Sequence, residues 1–207
     1  MGDLALVCGA GGKLGSAVVE TLRSRGDDVV APSRADVDLA DPDAVDAFWD
    51  GLERTPRWVV NTAGGYRRGS VADAEPDAVR EALALNLDTV WWTARAAARR
   101  LEAGGAIVHV AGRTAFERGA DAAAYSVAKA GVVRLTQVLA LELREKRVRA
   151  NVVVPGVIDT PANRASLSAQ ALETAVAPPK IAAAIAFLCS DDAAAVTGAV
   201  VPVAGWA

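Results

Sequence analysis

The chain has 207 residues, 52% of them hydrophobic, a formal net charge of −3 and two cysteines, Cys8 and Cys189. That length buries one full core and leaves no room for a second sizeable domain. No apolar run reaches the ~18–20 residues that span a bilayer, no basic block offers nucleic acid a footprint, and two cysteines make neither a disulfide framework nor a metal pattern.

The first residues turn directly into a strand, without a basic n-region or cleavage site, so no signal peptide is expected and a reducing cytoplasm fits. Leu4 to Cys8 reads as a buried parallel strand. Gly9, Gly12 and Gly15 follow at three-residue spacing, and Val18, Val19 and Leu22 mark the face of a helix that Gly26 caps. Such glycines let a backbone approach a pyrophosphate, and the helix start adds free N–H groups and a positive dipole end. An ordinary strand-to-helix turn is the alternative. Asp28 to Pro32 reads as a second strand. Asp41 caps a helix with Pro42 in its first turn and Val45, Phe48, Trp49 and Leu52 on its apolar face. The acidic run DVDLADPD before it reads mostly as solvated loop and cap.

Trp58 to Asn61 is the third strand, followed by a loop in which Tyr66 and Arg67 border the expected cleft, with or without a role. Val79 to Leu101 reads as one long helix, on which Trp91 and Trp92 read as packing residues, within the fold or between subunits, over substrate stacking. A strand from Ala106 to Val110 holds the only histidine, His109, read as a hydrogen-bonded core residue. Arg113 and Thr114 follow its carboxyl end, where open α/β sheets bind ligands, and either is a candidate to orient a substrate oxygen. A helix from Tyr125 toward Arg144, a strand from Ala150 to Val154, a helix from Pro179 to Ser190 and a strand from Ala199 to Val203 complete the chain. Alternating helices and Val-rich strands predict a single-domain α/β fold, a Rossmann-type doubly wound parallel sheet covering residues 1–207.

Within AAAYSVAKAGVVRL, Tyr125 and Lys129 stand four residues apart on one helical face. A phenol beside an ammonium is a proton donor with an electrostatic tuner, because a nearby cation favours the phenolate. A tyrosine brought toward the working pH serves as general acid or base.

Together these segments resemble the short-chain dehydrogenases/reductases over nearly the whole chain. CGAGGKLG looks like the family's first glycine motif, implying cofactor contacts from Gly9, Gly12, Lys13 and Leu14. Asp38 looks like the acid that contacts the adenine, and NTAG, with Asn61, Ala63 and Gly64, like the motif after a strand. Asn86 matches the helix asparagine of a proton relay, and YSVAK the active-site signature. VRANVVVPGVIDTP resembles the segment closing over the nicotinamide, with Pro155, Gly156, Val157 and Thr160. VTGAVVPVAGW resembles the last strand.

Two positions depart from the pattern. Lys13 stands where the motif has its second glycine. Gly112 stands where the family's catalytic serine lies, thirteen residues before the tyrosine. The dihydropteridine reductase-like proteins share that absence, and the chain resembles them at AGGY, HVAGRTA and DTPANR; the substrate candidates are Tyr66, Arg113, Thr114 and Asn163. The resemblance implies an NAD(P)H-dependent reductase of a carbonyl or quinonoid/imine-type small molecule, with Tyr125 as proton donor, Lys129 on the nicotinamide ribose, and a homodimer or homotetramer built on the long helices. A non-catalytic dinucleotide sensor or scaffold, and an isomerase or dehydratase on the same fold, are the rival readings.

An acid at the end of the second strand would accept from a ribose 2′-hydroxyl and select NAD(H). Here Ser33 and Arg34 occupy that place, and Lys13 adds a charge, so NADP(H) is expected through charge-assisted phosphate contacts. Asp36 swinging in would restore NAD(H).

Overall fold

The computed structural model describes residues 2–117 and 120–205. Trp206, the end of the last motif quoted above, lies outside them. In chain order, β1 (Leu4–Cys8) leads into α1 (Lys13–Arg25), β2 (Asp28–Val30), α2 (Pro42–Asp50) and β3 (Trp58–Asn61). Next come α3 (Pro76–Leu83), a π-helical segment (Ala84–Asp88), α4 (Thr89–Arg100) and β4 (Ala106–Val110). The remainder is α5 (Ala123–Glu142), β5 (Arg149–Pro155), α6 (Pro161–Ser166), α7 (Ala169–Glu173), α8 (Pro178–Leu188) and β6 (Val200–Val203). The six strands form one parallel sheet in the order β2-β1-β3-β4-β5-β6.

The period-two alternation of each strand divides the core between the faces. Ala5 and Val7 of β1 meet Val18 and Leu22 of α1 and Ile181 and Ile185 of α8. Leu6 and Cys8 meet Val45 and Trp49 of α2, Ala94 and Ala97 of α4, and Leu139 of α5. Side chains as fully buried as Leu22 and Ile185 contribute roughly 1.5–3 kcal/mol each relative to exposure. Among the described residues, no helix is long and apolar enough to cross a membrane.

Local chemistry sets the element ends. Gly26 closes α1 in the left-handed region at φ 99°, and the Asp41 carboxylate accepts from the Asp43 and Ala44 N–H groups to start α2. Most boundaries fall within two residues of expectation, and the larger differences have local causes. β2 stops at Val30 instead of reaching Pro32, because proline brings no N–H to a ladder. The long helix begins three residues before Val79, with Pro76 in the first turn, where its missing N–H costs nothing. That helix is also not uniform: its middle widens into the π segment around Asn86.

The chain runs from β1 outward to β2 and then returns to β3 on the other side of β1. The crevice above the carboxyl ends of β1 and β3 is therefore the topological switch point of the sheet.

Candidate active site

Gly9, Gly11 and Gly12 form the turn that leaves β1. Gly9 holds φ +82°, and a Cβ there would lie 2.5 Å from the Ala63 nitrogen, so no other residue lets this turn pass so close to the end of β3. Gly12 caps α1 without a side chain, and no acid lies in the helix's first turn. The positive end of α1 and its free N–H groups are thus uncompensated from within the helix. Above the turn opens a cleft of about 800 Å³, lined by these glycines, by Ser33, Arg34 and Asp38 after β2, and by Thr62, Ala63 and Gly64 after β3. Lys13 is exposed at the start of α1, Leu14 is half-buried against the core, and neither lines the cleft.

The far edge of the nucleotide-sized cleft has a different arrangement from the one expected. The Ser33 hydroxyl is not free: its Oγ and its backbone N–H both donate to Asp36 Oδ2 at 2.7 Å. These bonds hold the Asp36 carboxyl below its ordinary range. Arg34 is exposed and forms no ion pair among the described residues. Val37 is buried and Asp38 Oδ1 accepts from the Ala40 N–H at 3.0 Å, which fixes the loop that carries them.

Gly64 joins the cleft to the polar end of the site. At φ +151°, a Cβ on it would lie 2.7 Å from Asn86 Oδ1 and 3.0 Å from Lys129 Nζ. Asn86 is fully buried, and its amide grips the peptide of Gly65 from both sides: Oδ1 accepts from Gly65 N at 3.0 Å and Nδ2 donates to Gly65 O at 3.0 Å. A third bond runs from Nδ2 to Ala82 O, four residues back, where the helix widens. Asn61 is spent in a similar way: it accepts from Ala63 N at 2.9 Å and donates to Thr89 O at 3.0 Å, tying β3 to α4.

Tyr125 and Lys129 share one face of α5 as the spacing requires. Lys129 is 4% exposed and donates to Val110 O at 3.1 Å, which leaves two of its three N–H donors without a partner among the described residues. Burial lowers its pKa to about 8. The expected depression of the phenol is not found. Burial raises the Tyr125 pKa, with a smaller contribution from Tyr66, although the Lys129 ammonium stands 5.8 Å from the ring centroid. The exposed Tyr66 ring meets Tyr125 edge-on at 5.1 Å. A loop bridge, Gly69 N to Asp121 O at 2.9 Å, anchors the chain between them.

The other candidates have varied surroundings. Arg113 pairs with Glu117 at 3.3 Å. Thr114 Oγ1 is buried without a hydrogen-bond partner among the described residues. Gly112 faces the phenol: a Cβ on it would begin 3.2 Å from Tyr125 Oη. Pro155 ends β5, Gly156 N donates to Val203 O, and Val157 O accepts from Val176 N at 2.8 Å. Thr160 caps α6 by accepting from Asn163 N, while Asn163 Nδ2 donates back to Ile158 O at 2.8 Å, so Asn163 is occupied in shaping its own loop. His109 lies in the core as expected. Thr136 Oγ1 donates to Val132 O, so the 2.8 Å contact is His109 Nδ1–H donating to Thr136, and burial followed by the Lys129 charge lowers the imidazole to about 3.

Sequence reasoning did not single out Gly11, Val37 or Leu39 among the cleft residues. The only signal for them was adjacency: Gly11 inside the glycine run, Val37 and Leu39 alternating with the acids of DVDL.

The chain matches, over residues 5–205, the family described as enoyl-(acyl carrier protein) reductase. A 4-formylbenzenesulfonate dehydrogenase of Comamonas testosteroni is 37% identical over 163 residues, covering 71% of this chain and 65% of that protein. The chain thus spans just under two thirds of that relative's length. The 3-oxoacyl-acyl-carrier-protein reductase FabG of Salmonella typhimurium is 27% identical over 235 residues, covering 99% of this chain and 96% of that protein. Among solved structures, the aldohexose dehydrogenase of Thermoplasma acidophilum shares the fold with a TM-score of 0.87 at 24% identity, covering 98% of this chain and 92% of that one.

Proposed function

Because the chain belongs to the short-chain dehydrogenase/reductase family, we propose that it is an NAD(P)H-dependent reductase of a small carbonyl compound with Tyr125 as the proton donor. The observation that carries this reading is the convergence of Tyr125, Lys129 and Gly64 beside a glycine-turned cleft at the sheet's switch point. The residues fit a dinucleotide: a cradle at Gly9 to Gly12 that a side chain would fill, a helix start without a compensating acid, and a buried lysine with two unused donors.

When bound, the nicotinamide supplies a hydride to an electrophilic carbon. Gly9, Gly12 and the first turn of α1 receive the pyrophosphate. Lys129 holds the ribose through its unused donors, and Tyr125 holds a proton for the substrate oxygen. Asn86 keeps the Gly64–Gly65 peptide in place and links it to the relay. Pro155, Gly156, Val157 and Thr160 border the nicotinamide end. Two of the relatives are named for a formyl compound and a 3-oxoacyl group, both carbonyls, which supports that substrate class over a quinonoid or imine. Gly112 and the AGGY segment support placing the chain with the dihydropteridine reductase-like proteins, which lack the serine. The two buried thiols fit a reducing cytoplasm.

The cofactor is NADP(H) in this reading, with Arg34 as the phosphate partner. The Ser33 hydroxyl, given to Asp36, contributes only if that contact opens. The test is net oxidation of NADPH and of NADH by a panel of aldehydes and ketones, in the parent and in Arg34→Ala. Consumption of NADPH with a higher kcat/KM than NADH, and loss of that preference in Arg34→Ala, are the expected results. Cofactor binding without turnover of any carbonyl would point instead to a sensor or to an isomerase or dehydratase.

A further inference from the structure

Thr114 holds a hydroxyl that no other described residue uses. It sits in the short 3-10 turn after β4, shielded from solvent and without a partner among the described residues. Buried polar atoms are nearly always hydrogen-bonded, and an orphan calls for an explanation such as a missing ligand. The surroundings indicate which. A side chain on Gly112 would begin 3.2 Å from Tyr125 Oη and 3.9 Å from Thr114 Oγ1. The two hydroxyls therefore both lie on the side of Gly112 from which a side chain would project, and glycine leaves that side clear. Two neighbouring polar side chains are committed elsewhere, Arg113 to Glu117 and both ends of the Asn86 amide to Gly65, while the spare donors of Lys129 are assigned to the ribose on the reading above.

On the reductase reading above, we infer that Thr114 is a catalytic residue whose hydroxyl donates to the substrate oxygen alongside Tyr125. In the step, the carbonyl carbon gains a C–H bond from the hydride of the reduced nicotinamide, and the C=O π pair moves onto oxygen. That oxygen takes the Tyr125 proton, and water restores the phenol. Thr114 keeps its proton and stabilises the charge that develops on oxygen. A donor that is dry and already oriented acts strongly on such charge, because nothing need reorganise as the charge forms. The substrate oxygen in turn supplies the partner that the buried hydroxyl lacks.

The test uses NADPH and p-nitrobenzaldehyde with the parent, Thr114→Val and Thr114→Ser. Valine keeps the shape and removes the hydroxyl. Loss of one such donor lowers kcat by about 10²–10³-fold. The inference predicts that loss in Thr114→Val, with unchanged NADPH affinity by fluorescence titration and a melting temperature no lower than the parent's, since an unpartnered buried hydroxyl has been removed. Thr114→Ser should recover most of kcat. Parental kcat in Thr114→Val overturns the inference. So does a fall in kcat accompanied by a lower melting temperature or weaker NADPH binding, which assigns the hydroxyl to structure. A parent that binds NADPH and reduces no carbonyl overturns the reductase reading itself, and this inference with it.

Discussion

On the proposed mechanism, the protonation of Lys129 sets the working range of the site. Lys129 was legible in the sequence as the partner of Tyr125, because the i, i+4 spacing fixes a shared helical face. Its pKa was not legible, because desolvation depends on how α5 packs over β4 and not on spacing. Burial lowers Lys129 to about 8 and raises Tyr125 above its ordinary value. Reduction on this account needs a charged Lys129 and a protonated Tyr125. Both conditions hold below pH 8, and the first fails as pH rises through about 8 while the phenol stays protonated. We expect kcat/KM for carbonyl reduction to fall over that range. In Lys129→Arg the guanidinium stays charged, so the falling limb should move up to the pH where Tyr125 titrates. The same limb in both proteins would show that another group sets it. The Thr114 orphan was equally hidden, since no sequence pattern reports an unmade hydrogen bond.

Asn86 shows what an element adds to a residue. Hydrophobic periodicity gave a continuous helix through it, because a single widened turn changes the pattern too little to register. The structure instead inserts a π segment, and such segments recur at functional sites. The same helices bear on assembly. α3, α4 and α5 carry more apolar residues than one core-facing stripe needs, which was readable in the sequence. The structure identifies the surplus as the exposed Leu85, Trp91, Val127, Val138 and Leu141. α4 packs beside α5, so surplus positions on both helices can serve one contact surface. We expect a homodimer or homotetramer by light scattering at micromolar concentration, and Leu141→Asp to shift the mass toward the monomer. A monomeric parent would contradict this.

At the scale of the whole molecule, alternation of Val-rich runs with helical stretches was enough to foresee the all-parallel sheet covered on both faces. α6 and α7 escaped, because helices of six and five residues show no periodicity, although Thr160, Pro161 and Ser168 carried their caps. The sheet matters to function through its switch point, which brings the glycine turn after β1 within reach of Gly64 and hence of Lys129 and Tyr125 on α5. On the proposed reading, this assembly transfers a hydride while Tyr125 supplies the proton. Tyr125→Phe tests it most directly, since the ring remains and only the donor is lost. NADPH oxidation with a carbonyl that the parent reduces should fall by about 10²–10⁴-fold, with NADPH binding unchanged. Turnover by Tyr125→Phe at the parent rate would contradict the account.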